Sequence, residues 1–253
     1  WKRLLMFSNS IFSLIDSCFV QDKESMKRFK LLGVKKINRI ENLKFLSPKL
    51  EVDNDIFNKF KKQLRLKRVV ILFSSHQNEE KMLLESFKVL SKKIKNLFFI
   101  IVPRHINRIK KITDEFNNEK VSYLLKTDLN LKIKNENFLI VGTFGELGSF
   151  FKLSQIALVG GSFSKNGGHN PIETKDFNCS IIFGPHMENF IDIKEKIILK
   201  KAGFEVKDHN QLNEIIYKLF KNKKLRLQTN QNFKKLCYIQ SDKSRAILKG
   251  LLK

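Results

Sequence analysis

From residue 69 onward, short apolar runs alternate with amphipathic stretches, and that alternation leaves few folds open. Val69-Val70-Ile71-Leu72-Phe73 is too short for a helix and apolar at every position, so it reads as a strand buried on both faces. Residues 77–94 follow with Leu83, Phe87, Leu90 and Ile94 at helical spacing. Residues 97–102 predict a second strand and 106–116 a second helix. Further strands are expected at 121–125, 138–141, 156–159 and 180–183, with a helix opening at Asn170, and Glu205-Val206 closes the set. Helical patterns then run over 211–221 and from 224 to the end. Strand and helix in repetition predict an α/β fold, a parallel sheet covered by helices on both faces.

The first part of the chain is patterned differently. Residues 15–20 and 36–40 predict strands around a helix at 22–32. Residues 46–67 hold Pro48, Asp53, Asn54 and many lysines, and read as a linker leading into a short helix. The expected organisation is therefore a small N-terminal unit over 1–45, a linker over 46–67 and a main domain over 68–253. The stretch beyond Asn222 is basic but keeps apolar periodicity (Leu225, Phe233, Leu236, Ile247), which predicts a helix rather than a disordered arm. The sequence begins at Trp1 rather than Met, and we expect a further N-terminal portion to precede it.

Composition narrows the function. Lys plus Arg number 49 against 25 acids, a formal net charge of +24. That surplus suits an anionic partner (nucleic acid, a membrane surface or a phosphorylated substrate) or a lysine-rich solvated surface; the lysines are spread along the chain. A nucleic-acid binder needs a clustered basic face with exposed aromatics, whereas most of the 23 phenylalanines fall at apolar-periodic positions and read as core. Cys18, Cys179 and Cys237 are far apart, without zinc-ligand spacing, and suit a reducing compartment. Cys179 is expected to be a small core residue. No apolar stretch approaches the roughly 20 residues of a spanning helix. The chain has no phosphate loop of the Walker type, no GxGxxG, no HExxH and no GxSxG.

Polar, glycine-flanked residues instead follow one predicted strand after another: Ser74-Ser75-His76, Pro103-Arg104-His105, Phe144-Gly145-Glu146-Leu147-Gly148 and Gly160-Gly161-Ser162. Then come Gly167-Gly168-His169-Asn170-Pro171-Ile172-Glu173 and Gly184-Pro185-His186-Met187-Glu188-Asn189-Phe190. In open parallel sheets, ligands bind at the carboxyl ends of the strands. Each segment alone has an ordinary reading: a turn, a cap, a surface Arg. Asn170 as N-cap, Pro171 at N1 and Glu173 at N3 make a good helix start, whose free N–H groups would favour a phosphate or carboxylate. Glu173 cannot serve fully both as cap and as an acceptor of ribose hydroxyls, and both roles stay open. Packing does not explain why so many such segments converge on one rim.

In this order, the segments closely resemble the C-terminal half of the 3-deoxy-D-manno-octulosonic acid (Kdo) transferases. Asn42-Leu43-Lys44 is similar to the family's domain-junction signature. The resemblance implies a glycosyltransferase B fold, with a Rossmann-like parallel sheet forming the donor domain and residues 1–45 a remnant of an acceptor domain that is otherwise missing. It implies transfer of Kdo from CMP-Kdo to a lipid A precursor in lipopolysaccharide biosynthesis, at the cytoplasmic face of the bacterial inner membrane, beside anionic lipid. Nucleic acid is not an expected partner, and neither metal nor cofactor is expected. By motif match, CMP is contacted by Pro103, Arg104, Phe144, Gly145, Glu146, Asn170, Pro171, Ile172 and Glu173. Supporting positions are Ser75, His76, His105, Gly160, Gly161, Ser162, Gly167, Gly168, His169, His186 and Asn189.

The family's general base is a glutamate of the acceptor domain, expected upstream of Trp1, so this chain alone is expected to be inactive. Two positions depart from the pattern. Glu41 stands where the family usually has Gly, and Gly142 where it usually has Asp. The nearest rival is another nucleotide-sugar glycosyltransferase of the same fold, using a UDP- or GDP-sugar; a basic nucleic-acid-binding protein is the more distant one.

Overall fold

The computed structural model describes residues 5–21, 23–127 and 131–251, so Trp1 lies outside the described residues. The chain divides into two units: one comprises residues 1–47 and 237–253, the other residues 48–236. The sequence boundaries put residues 68–253 in one domain; in the structure the residues from Cys237 onward group with the N-terminal segment.

In the first unit, α1 (Leu5–Phe12) precedes β1 (Cys18–Val20), α2 (Lys23–Leu31) and β2 (Ile37–Arg39). The strands pair in parallel, Cys18 opposite Ile37, with α2 as the crossover. A 3-10 turn at Leu43–Leu46 follows, started by Asn42, whose side chain accepts the Lys44 N–H, and Phe45 is buried there.

The second unit opens with α3 (Asn54–Leu64), inside the expected linker. Asp53 caps it, accepting the N–H groups of Asp55 and Ile56 at 2.9 and 3.0 Å. Its apolar face buries Ile56, Phe60 and Leu64, and the Phe60 ring meets Phe150 edge-on at 5.9 Å.

The sheet is built from β3 (Arg68–Ser75), β4 (Leu97–Pro103), β5 (Leu124–Lys126), β6 (Phe138–Val141), β7 (Ile156–Val159), β8 (Ser180–Phe183) and β9 (Gly203–Glu205). All seven are parallel, in the order β5-β6-β4-β3-β7-β8-β9. The helices between them are α4 (Glu79–Leu90), α5 (Ile109–Asn118), α6 (Leu147–Leu153) and α7 (Ile191–Leu199); α8 (His209–Lys221) and α9 (Lys223–Leu251) follow β9. The apolar runs become central strands because both faces are covered: β6, β7 and β8 are buried at every position. Phe99 and Phe138 stack at 5.3 Å, and Phe87 and Phe116 meet Phe138 edge-on. Each such ring contributes about 1.5–3 kcal/mol by leaving water. This is the expected α/β architecture.

Local boundaries differ where the backbone turns left-handed. α4 starts two residues later than its apolar spacing suggests, because Asn78 sits at φ 75°. Lys120 at φ 53° ends the α5 region, so β5 begins only at Leu124. The expected helix at Asn170 is a 3-10 turn over Pro171–Thr174. Beyond it the chain continues in single turns, with Phe177 donating its N–H to the Thr174 carbonyl at 3.0 Å, before β8 begins at Ser180.

From β3 the chain moves outward through β4 to the edge strand β5 and steps back to β6; it then crosses to the other side of β3 with β7, so the winding direction switches between β3 and β7. The crevice at that switch point lies between the exits of β3 and β7, the position at which such sheets bind ligands.

Candidate functional site

The exit of β3 is bent by a break in register between Phe73 and Ser75, with Ser74 at φ 53°. The Ser75 carbonyl is thereby turned toward the neighbouring loop, where it accepts the Arg104 N–H at 3.1 Å and Arg108 Nη1 at 3.0 Å. Behind it, the fully buried Glu80 accepts the Ser75 hydroxyl at 2.6 Å and both terminal nitrogens of Arg108 at 2.9 and 3.0 Å. A bidentate, charge-assisted pair of this kind fixes direction as well as distance. It locks the Pro103-Arg104-His105 loop against Ser75-His76.

A second buried acid crosses the switch point. Glu79 Oε2 accepts the N–H groups of His76 and Gly161 at 2.8 and 2.9 Å. Its Oε1 accepts the Phe163 N–H at 3.1 Å and the Ser164 hydroxyl at 3.2 Å. Burial raises its carboxyl above the usual range, against the pull of those backbone donors.

The β7 exit needs its two glycines for different reasons. A Cβ on Gly160 would lie 2.2 Å from the Ser74 carbonyl oxygen, so nothing larger fits between the two strand exits. Gly161 adopts φ +71° and sits beneath two imidazoles. Gly168 and His169 donate their N–H groups to Gly161 and Gly160, each at 3.0 Å, which lays Gly167-Gly168-His169 along the first glycine pair.

His169 is thereby delivered opposite His76. Their Nε2 atoms are 2.7 Å apart, with ring centroids at 5.0 Å and planes inclined by 13°. That nitrogen contact is too short for a face-to-face stack, so the rings point at one another nearly in plane, joined by one N–H···N bond. His105 approaches His76 edge-on at 6.2 Å. Burial, with His76, Arg104 and His105 nearby, holds the His169 pKa down to about 4. Burial, then Arg108 and His105, lower that of His76.

On the other side of β4, the β6 exit carries Phe144, Gly145 and Glu146. Phe144 is 76% exposed, and Gly145 (φ +82°) has no neighbour where a side chain would project. Glu146 is held from within: Lys126 Nζ contacts both its oxygens, at 2.9 and 2.8 Å, and the Thr143 hydroxyl donates to it. Lys126, the last residue of β5, is 1% exposed.

The Asn170 segment differs from expectation in kind. Asn170 Oδ1 accepts the Ile172 N–H at 3.2 Å, and Pro171, Ile172 and Thr174 are buried. A single 3-10 turn has neither the aligned dipole nor the set of free N–H groups of an α-helix. The expected α-helix start is a 3-10 turn, and Ile172 is buried in the core. Glu173 is half-buried.

Ser162, His186 and Asn189 act as framework. The Ser162 hydroxyl and carbonyl accept the N–H groups of Gly184 and His186 at 2.8 and 3.0 Å, and Asn189 donates its N–H to Gly167 at 3.0 Å. The His186 ring turns to Glu188 at 3.2 Å. Cys179 is a buried core thiol, as expected, with its pKa raised by burial. Among the described residues, no three His, Cys, Asp or Glu side chains are grouped to hold a metal ion.

Five residues of the rim framework were not singled out by sequence reasoning: Glu79, Glu80, Arg108, Lys126 and Thr143. The available signal was the acid pair directly after Ser75-His76, which also reads as an ordinary acidic first helical turn. All the acids so placed are neutralised or bonded from inside, so the groups left facing outward at the switch point are Arg104, His105 and the histidine pair, a set suited to an anion.

No family model matches the chain. It is 33% identical over 232 residues to a 3-deoxy-D-manno-octulosonic acid transferase of Rickettsia bellii, covering 91% of this chain and 55% of that protein. It is 30% identical over 238 residues to the Aquifex aeolicus protein of the same name, covering 93% and 62%. The chain thus spans about half the length of the curated relatives it matches. Among solved structures, it resembles the C-terminal CMP-Kdo binding domain of WaaA from Acinetobacter baumannii, with TM-score 0.66 and 24% identity over 73% of this chain and 98% of that one. The Anabaena HepE structure with UDP aligns at TM-score 0.61 and 12% identity, over 99% of this chain and 67% of that one. These likenesses show the fold, a glycosyltransferase B sheet.

Proposed function

We propose that this chain, which is related to the Kdo transferases over nine-tenths of its length, carries the CMP-Kdo donor site of such an enzyme. In the full reaction, Kdo passes to a lipid A precursor at the cytoplasmic face of the inner membrane. The observation that carries this reading is the convergence at the switch point. The loops after β3, β4 and β7 are hydrogen-bonded to one another there and leave cationic and neutral-imidazole groups outward. The likeness to the CMP-Kdo binding domain of WaaA favours the cytidine nucleotide among the phosphorylated ligands such a rim could take.

The chemistry follows from charge. As the bond from the sugar's anomeric carbon to the phosphate breaks, negative charge grows on the departing CMP. Arg104, held by its backbone but exposed at its guanidinium, presents a planar fork to that phosphate. Glu80 and Glu146 do not oppose it, because Arg108 and Lys126 neutralise them. Phe144 offers its exposed ring to the base. None of the rim residues takes the role of general base; we assign that role to the acceptor half of the complete enzyme. The net charge of +24 favours residence near anionic headgroups.

The test is calorimetric titration of the chain with CMP, UMP and GMP. Saturable, CMP-selective binding that disappears in Arg104→Ala, with the melting temperature unchanged, is the expected result. Equal binding of UMP or GMP by folded protein would instead point to another nucleotide-sugar glycosyltransferase of this fold.

A further inference from the structure

We propose that Glu79 is a specificity residue of the donor site: its carboxylate fills the backbone anion nest at the switch point, so the site takes a nucleotide with one phosphate and has no donors for the second phosphate of a nucleoside diphosphate. The inference rests on the donor-site reading above and deepens it.

In an open parallel sheet, a glycine-bearing loop beside a helix start at the switch point is a common seat for a phosphate, because several backbone N–H groups point at one spot. This sheet has those parts. Gly160-Gly161-Ser162-Phe163 leaves β7 beside the start of α4, and Gly161 turns the loop at φ +71°. The N–H groups of His76, Gly161 and Phe163 meet one anion at 2.8, 2.9 and 3.1 Å, and the Ser164 hydroxyl joins them at 3.2 Å. That anion is the carboxylate of Glu79. An acid in a first helical turn ordinarily serves its own helix end. None of these four donors belongs to α4. Glu79 is only 1% exposed, so the nest is filled from within the protein.

The order of the strands places this filled nest along the path of the donor. Phe144 stands at the β6 exit and Arg104 at the β4 exit, and the strands run β6-β4-β3-β7. A donor with its base against Phe144 and its phosphate against Arg104 brings its next group to the crevice between β3 and β7. In a CMP-sugar that group is the sugar. In a nucleoside diphosphate sugar it is a second phosphate, which would lose water there without gaining hydrogen bonds, beside a buried carboxylate. Phe163 and Ser164 are half-buried, so the shell opens toward solvent on their side once the carboxylate is removed.

The experiment is titration calorimetry with CMP, CDP and UMP at pH 7.5 and physiological salt, which screens general attraction to the basic chain. It compares the wild type with Glu79→Gln and Glu79→Ala. Glutamine removes the charge but keeps the nest filled; alanine empties it. The wild type is expected to bind CDP no more tightly than CMP. In Glu79→Ala the ratio of CDP to CMP affinity should rise on the order of tenfold, and by less in Glu79→Gln.

A residue that only staples the β7 loop to α4 would weaken both nucleotides by one factor and leave that ratio unmoved. An unmoved ratio in folded Glu79→Ala, with CMP selectivity intact in the wild type, would overturn the role of Glu79 and leave the donor site standing. Tighter binding of CDP than of CMP by the wild type would overturn it as well, and that comparison decides even if neither variant folds. Absence of any preference for CMP over UMP would overturn the donor site, and this role with it.

Discussion

Two ion pairs stiffen the rim, and they have opposite polarity. Near the switch point the acid is the buried partner: the Glu80 side chain is 0% exposed and that of Arg108 19%. On the outer side the base is the buried partner: the Lys126 side chain is 2% exposed and that of Glu146 18%. Both pairs are bidentate, and both hold a loop that follows a strand. They differ in which residue is stranded when the other is removed. A buried charge that loses its partner costs far more than a half-exposed one, because water reaches only the latter. Deleting the outward member should therefore be the more damaging change at each site.

Arg108→Met should show the largest effect. It leaves the carboxyl of Glu80 buried with only the Ser75 hydroxyl for company, a loss of about 3–5 kcal/mol at neutral pH. Urea unfolding at neutral pH checks this, and a loss under about 1 kcal/mol would mean that Arg108 is not what holds Glu80 in place. Glu146→Leu should cost less, about 2–3 kcal/mol, because the freed ammonium can still reach the Thr143 hydroxyl at 3.3 Å. A larger loss for Glu146→Leu than for Arg108→Met would break the comparison.

The polarity of these pairs is not legible in the sequence, for a physical reason. Glu79-Glu80 has the appearance of an acidic first turn, and Lys126 that of a lysine ending a short apolar run. What makes them framework is the return of other loops (Gly161 to Glu79, Arg108 to Glu80, Glu146 to Lys126) across separations of 82, 28 and 20 residues. Local spacing does not encode such contacts. What local spacing does encode was readable: the alternation of apolar runs fixed the parallel sheet, and the glycine-flanked segments after β3, β4 and β7 meet at its switch point. The Asn170-Pro171-Ile172-Glu173 segment shows the limit from the other side. Its capping residues are right, and Asn170 does accept the Ile172 N–H. The segment they open is nevertheless a 3-10 turn rather than an α-helix, and nothing within the motif distinguishes the two.

The smallest expected effect separates framework from ligand contact on the outer side. Phe144 is 76% exposed and touches little, so Phe144→Ala should leave the melting temperature unchanged. If the ring stacks on the cytosine, CMP affinity should fall about tenfold, on the order of 1.4 kcal/mol, and Phe144→Tyr should restore it. Glu146→Gln supplies the contrast. The amide keeps an acceptor for Lys126 but presents an NH2 where a carboxylate oxygen received a second donor. It should therefore lower stability first, and CMP affinity only as the Phe144-Gly145 turn loosens. The reverse outcome, with affinity lost in a fully stable Glu146→Gln and kept in Phe144→Ala, would make Glu146 a direct contact of the nucleotide. The outer pair would then be a ligand group held ready by Lys126, unlike Glu80, which no ligand can reach.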